Sequence, residues 1–286
     1  FSVFFLTTHM PLAQSLPDYI VRLFRSLRDA TRHRRLSAPV AGQRFALPEE
    51  LVDFESKQGQ CIAASAKVNR DLVRALLRQE HPAFCAVASA MTIAQTEGVG
   101  PAEQKRFVEI FRQAVAWPPV MACYGLDALD SLPGMLKYWL LSHLQYDGAP
   151  LALLAEWLRL LDFDVQIKSA GNLDEDAFRA DVAECFPSLD RGDPWPRNYI
   201  LVNYSRSVVG QRMFSGGHYA PIGAFHQEED KVLLLEVNSW RYPSVWVDLP
   251  LLWQATHTQV GNGTWRGYLR ISSSNVHRTG KTERWC

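Results

Sequence analysis

No stretch of this chain supplies the roughly 20 uninterrupted apolar residues of a membrane-spanning helix. The most apolar segment, residues 151–161, is broken by Glu156 and Arg159. An excess of one charge is missing too: 30 basic and 30 acidic side chains cancel, so nothing global advertises a nucleic acid or a membrane as partner. The five cysteines, Cys61, Cys85, Cys123, Cys185 and Cys286, form no CxxC pair and no Cys/His cluster. That argues against a protein-held metal or a disulfide framework, and for a reducing, cytoplasmic compartment. Residues 1–16 (FSVFFLTTHMPLAQSL) lack the basic start of a secretion signal; a periplasmic location is the alternative if they are a truncated one. Internal repeats and low-complexity tracts are absent. Gly98-Val-Gly100 lacks the Gly-Lys-Ser/Thr of a phosphate loop and reads as a turn.

What is present is a chain of 286 residues, 47% of them hydrophobic, enough for a substantial core. Leu16, Ile20, Leu23 and Leu27 recur at helical spacing among six arginines between Arg22 and Arg35, predicting a basic amphipathic helix that packs on the domain or docks an acidic partner. The Pro/Gly-containing stretch 37–48 reads as a linker. Three regions follow: an arm at 1–46, a main domain at 47–272 and a tail at 273–286. Within the main domain, helical periodicity runs to about residue 161. It then gives way to strands at 164–168, 199–204, 218–225, 231–237 and 268–271, with a helix at 174–185. Helices first and antiparallel strands later is an α+β pattern.

Two motifs carry chemistry. In QEHPAFC (79–85), Pro82 ends one helix and the alanine-rich run after Phe84 starts another. Cys85 therefore falls in a first helical turn, where unpaired N–H groups and the helix dipole favour a thiolate. In SGGHYAPIGAF (215–225), His218 opens a strand that turns near Glu228 and Glu229 and returns through KVLLLEVN (231–238). Period 2 puts Glu236 and Asn238 on one face, and even-numbered pairing adds His218 to it. A histidine beside a carboxylate or amide, facing a helix-start cysteine, is the arrangement thiol acyl transfer needs. Glu228, Glu229 and Asp230 read as a solvated hairpin tip, and Cys61, Cys123 and Cys185 as buried or bystander thiols.

QEHPAFCAVASA (79–90), NYILVNYSRSVVGQ (198–211), GGHYAPIGAF (216–225), KVLLLEVNSWRYPSVWVDLPLLWQAT (231–256) and RGYLRIS (266–272) resemble, in order and spacing, the phytochelatin synthase family in its short bacterial form. The resemblance implies a papain-like fold, a helical lobe carrying the nucleophile packed on an antiparallel sheet. It makes Cys85 the nucleophile, His218 the base and Gln79 an oxyanion donor beside the backbone N–H of Cys85. The third member falls on Glu236, longer than the family's usual Asp, with Asn238 as the alternative. Asn203 and Arg206 match positions near the γ-glutamyl head of glutathione, and Phe84 and Tyr242 are expected at the acyl pocket, although Tyr242 could equally be core.

The implied reaction transfers an acyl group such as γ-Glu-Cys from glutathione, or a related thiol peptide, through Cys85 to water or an amine. A divalent metal enters as a thiolate complex of the substrate, and the protein holds no cofactor. The alternatives are an amide ligase fed by a carrier-protein thioester, and a non-catalytic scaffold. Ser239 replaces an arginine that the family usually has, and residues 258–264 lack an acid, so glutathione is expected to be a poor donor.

Overall fold

The computed structural model describes residues 44–80, 84–108, 149–187, 197–212, 216–260 and 263–273. The basic helix expected at 16–36, most of the arm and tail, Cys123 and Cys286 lie outside these. Eight strands form one sheet: β1 (Val52–Asp53), β2 (Lys67–Val68), β3 (Phe163–Ser169), β4 (Asn198–Ser205), β5 (Gly217–His226), β6 (Lys231–Leu234), β7 (Val245–Asp248) and β8 (Gly267–Ser273). Their order is β1-β7-β6-β5-β4-β8-β3, with β2 paired to β5, and the pairings are antiparallel. The helices are α1 (Lys57–Ser65), α2 (Arg70–Arg74), α3 (Cys85–Thr96), α4 (Leu151–Leu160), α5 (Glu175–Cys185) and α6 (Leu249–Thr256). The expected α+β class is what the chain adopts. The short strands β1, β2 and β7 carry too few residues for periodicity to reveal them. Among the described residues no helix is long and apolar enough to cross a membrane.

The sheet is covered on both faces, which is why β4 reads as an almost unbroken apolar run. Tyr199 and Leu201 join the core under α3 and α4, while Ile200, Val202 and Tyr204 join the one under α5 and α6. Helix α3 is buried without a break from Cys85 to Ala94, so it lies within the protein and not on its surface. Its alanines and Ser89 let its backbone approach the sheet closely. At its far end, Tyr199 and Ser273 donate hydrogen bonds to the Glu97 carboxylate.

The β5–β6 hairpin departs from a straight ladder in a way that matters for the site. His226 pairs with Lys231 and Ala224 with Leu233, but Ile222 pairs with Leu234. The partner numbers thus sum to 457 near the turn and to 456 beyond it, because β5 carries one extra residue. Leu235 N–H donates to Pro221 O at 3.0 Å, continuing the shifted register. In the unshifted register even-numbered residues of β5 would share a face with odd-numbered ones on the return strand, placing Glu236 away from His218. The bulge restores even with even. Gly223 sits in it because a Cβ there would come within 2.8 Å of the Leu235 side chain. Asp230, at the turn, has a positive φ of 50°. Its carboxylate is held by Arg179 of α5 at 2.9 to 3.2 Å, so the tip is not simply solvated as expected.

Candidate active site

Helix α3 begins at Cys85, and its N-cap residue, Phe84, offers no polar side chain to cap it, so the helix dipole bears on the thiol. Two contacts one turn apart fix the helix start on β5. The Cys85 thiol accepts the backbone N–H of Tyr219, and Ser89 Oγ donates to Tyr219 O at 3.1 Å. With residue 219 held at both its polar groups, the neighbouring His218 side chain meets the thiol in a hydrogen bond.

His218 is buried, and its Nε2 lies 2.7 Å from Glu236 Oε1. That occupies Nε2 and leaves Nδ1 for Cys85. Asn238, the alternative third member, contributes its backbone N–H to Glu236 Oε1 at 2.6 Å. Ser244 Oγ accepts Glu236 N–H at 3.1 Å, steadying the same residue. Arg206, expected near the donor, turns to this group instead: its Nη2 lies 2.7 Å from His218 Nε2 and 3.1 and 3.2 Å from the Glu236 oxygens. The shift has a simple origin. Tyr204 pairs with His218 across the β4–β5 ladder, and Arg206, two residues on, follows on the same face.

The electrostatics favour a charged pair. Burial alone would raise the Cys85 thiol, but the hydrogen bond and charge of His218, the Tyr219 N–H and the charge of Arg206 bring it below its ordinary 9.0. Burial and Arg206 pull His218 down, yet Glu236 and Cys85 outweigh them and lift it above 6.5. For Glu236, burial is likewise overcome, by Arg206, His218 and the Asn238 N–H, which hold its carboxyl at about 2. A thiol drawn toward its thiolate at a helix start, an imidazole against it and a carboxylate behind are the parts of a nucleophile with its proton acceptor.

The remaining expected residues are nearby or structural. Gln79 is buried and its backbone N–H donates to Val237 O at 2.9 Å, in the strand return that carries Glu236. Tyr242 is buried with its ring 5.6 Å from that of Phe45. Ser239, where the family resemblance leads one to expect an arginine, meets an arginine from another segment. Arg78 Nε donates to Ser239 Oγ at 2.7 Å, and its guanidinium lies 4.2 Å over the Trp240 ring.

One residue escaped the sequence reading. Arg266 is 9% exposed, donates to Asn203 Oδ1 at 3.1 Å and to Thr258 Oγ1 at 3.0 Å, and, among the described residues, is in no ion pair. Its guanidinium occupies the space a side chain on Gly217 would fill, since a Cβ there would lie 2.0 Å from Nη1. The glycine before His218 thus makes room for a buried cation beside the start of β5. The other described cysteines divide as expected into a bystander and a buried thiol: Cys61 is exposed, while burial pushes Cys185 up to about 12.

A family model described as phytochelatin synthase matches residues 42–268. The chain belongs to the phytochelatin synthase family. Among curated relatives it is 27% identical over 228 residues to glutathione gamma-glutamylcysteinyltransferase 3 of Lotus japonicus, covering 77% of this chain and 42% of that protein. It is 24% identical over 237 residues to glutathione gamma-glutamylcysteinyltransferase of Schizosaccharomyces pombe (80% and 51%), and 25% identical over 228 residues to enzyme 1 of Triticum aestivum (77% and 40%). The chain thus spans about half or less of these relatives' length. The phytochelatin synthase match includes the cysteine helix, the histidine strand and the start of β8, so every residue of the site falls inside it.

Proposed function

We propose that this chain is a papain-like cysteine acyltransferase that takes the γ-glutamylcysteinyl group of glutathione, or a closely related γ-glutamyl peptide, onto Cys85 and passes it to water or an amine. The observation that carries this reading is the contact of the Cys85 thiol with His218 at the start of a buried helix. Cys85 Sγ attacks the carbonyl carbon and its proton goes to His218 Nδ1. The Cys85 N–H and the Gln79 amide receive the oxyanion, and Glu236 holds the imidazole.

Arg266 and Asn203 supply what a γ-glutamyl head requires. A guanidinium without a carboxylate partner among the described residues, packed against the glycine that precedes His218, suits the α-carboxylate of the donor. This reading takes glutathione as a competent donor, against the expectation drawn from Ser239 and residues 258–264. The related enzymes' names, glutathione gamma-glutamylcysteinyltransferase, point to the same substrate class. A divalent metal enters this reading as a thiolate complex of the substrate.

The test is glycine release from glutathione by wild type and Arg266→Met. Losing one charge-assisted contact should cost about 1.5–3 kcal/mol, on the order of 10- to 100-fold in kcat/KM, while iodoacetamide still modifies Cys85 at the wild-type rate. Unchanged glutathione kinetics in the variant would remove Arg266 from the donor site. No glycine release by wild type, with acylation by a thioester donor instead, would favour the carrier-fed ligase.

A further inference from the structure

Two groups claim the Nε2 edge of His218. Glu236 Oε1 and Arg206 Nη2 both lie 2.7 Å from that nitrogen, and Arg206 Nη2 also reaches both carboxylate oxygens. Nε2 can donate or accept, not both. With a proton it donates to Glu236, which leaves Nδ1 bare to take the Cys85 proton. Without one it accepts from Arg206, and the proton then sits on Nδ1, where no lone pair faces the thiol. The two neighbours therefore favour opposite forms of the ring.

Charge balance assigns Arg206 a further part. Arg206 stays protonated and is 3% exposed. Thiol, imidazole, carboxylate and guanidinium sum to zero, and so do thiolate, imidazolium, carboxylate and guanidinium. With Arg206 the buried group is neutral before and after the proton crosses from Cys85 to His218, whereas without it a net negative charge would stay buried in both states. His218 is faced by Cys85 from α3, by Glu236, by Arg206 and, edge-on at 5.7 Å, by Tyr204; Tyr242 faces the Glu236–Arg206 pair. Both phenols are pushed upward by burial, while Cys85 is drawn down and His218 lifted.

We propose that Arg206 is a positioning residue of the acyl-transfer centre: by sharing the Glu236 carboxylate with His218 it loosens that carboxylate's hold on the imidazolium, so that the proton taken from Cys85 is handed on to the departing amine. The inference rests on the acyl-transfer reading above. In that step Sγ bonds to the carbonyl carbon and the C–N bond breaks. The amine nitrogen takes the Nδ1 proton, leaving a thioester and neutral imidazole. In the return step water or an amine gives its proton to Nδ1, and the C–S bond breaks to thiolate. Arg206 neither gains nor loses a proton in either step.

The experiment compares the full-length wild type with Arg206→Met, which keeps bulk and removes charge. Acylation by an amide donor, whose amine must be protonated to leave, should fall about tenfold or more, and acylation by a thioester donor, whose thiolate leaves unprotonated, should stay within about twofold. Both limbs of the pH profile of iodoacetamide modification at Cys85 should move to higher pH, because the Arg206 charge lowers both Cys85 and His218. Arg206→Lys should restore them. Equal losses with the two donors and unmoved limbs would overturn the proposal. If Arg206→Met does not fold, Glu236→Gln and the Glu236→Gln/Arg206→Met pair carry the test. The basic limb should drop in the first and recover in the second, and identical limbs would overturn the proposal. If no donor acylates even the wild type, the acyl-transfer reading fails, and the alkylation limbs still decide what Arg206 does to the pair.

Discussion

At the scale of single residues, the two buried cysteines among the described residues differ in what surrounds them. Cys85 meets an imidazole, a backbone N–H and a nearby guanidinium, whereas burial dominates around Cys185. Iodoacetamide near pH 7 should therefore modify Cys85 readily and leave Cys185 untouched until the protein unfolds. Peptide mapping checks the order; modification of Cys185 before Cys85 would mean that the thiol at the start of α3 is an inert core group. The third member of the site can be tested in the same way. Glu236→Gln should lower turnover by roughly 10²- to 10⁴-fold, and Asn238→Ala by much less, because Asn238 reaches the carboxylate through its backbone. The reverse ranking, at similar melting temperatures, would assign the imidazole's orientation to Asn238.

At the scale of elements, the bulge in β5 decides which residues meet. The sequence pattern made the strands, the hairpin and the start of α3 legible, because each rests on local signals: period 2, a polar turn, a proline before an alanine-rich run. It also anticipated His218 and Glu236 on one face, but only by assuming the pairing parity. With the turn where the structure has it, a regular hairpin would have separated them, and the extra residue at Gly223 is what aligns them. Arg206 and Arg266 were harder to read. One reaches His218 across a strand pair and the other reaches Asn203 beside the space left by Gly217, and neither relation is local in sequence. Gly223→Ala should force the Leu235 side chain to move and destabilise the fold by about 1–3 kcal/mol, the usual cost of overpacking. It should also lower turnover more than the stability loss explains, by tilting Glu236 away from His218. A thermal melt together with activity at a temperature well below the melt checks both, and full activity with an unchanged melt would show that the bulge is incidental.

For the whole molecule, the site fixes how activity and stability depend on pH. Cys85 is drawn below 9.0 and His218 is lifted above 6.5, and both shifts favour the thiolate–imidazolium pair. Activity should accordingly follow a bell whose acid limb reports Cys85 and whose basic limb reports His218. Stability follows a separate rule. Glu236 is depressed from 4.5 to about 2 in the folded chain, so its contribution is complete above 4.5 and disappears as the pH falls toward 2. It amounts to about 3 kcal/mol at most. Acid unfolding of Glu236→Gln should lack that component, as chemical denaturation at pH 5 and pH 3 would reveal. The central claim is that Cys85 carries the acyl group, and the most direct measurement is mass spectrometry of the intact protein and its Cys85 peptide after brief incubation with glutathione. The account predicts one γ-glutamylcysteinyl adduct on Cys85, glycine released in at least equal amount, and neither in Cys85→Ala. An adduct elsewhere, or glycine release that survives in Cys85→Ala, would contradict it.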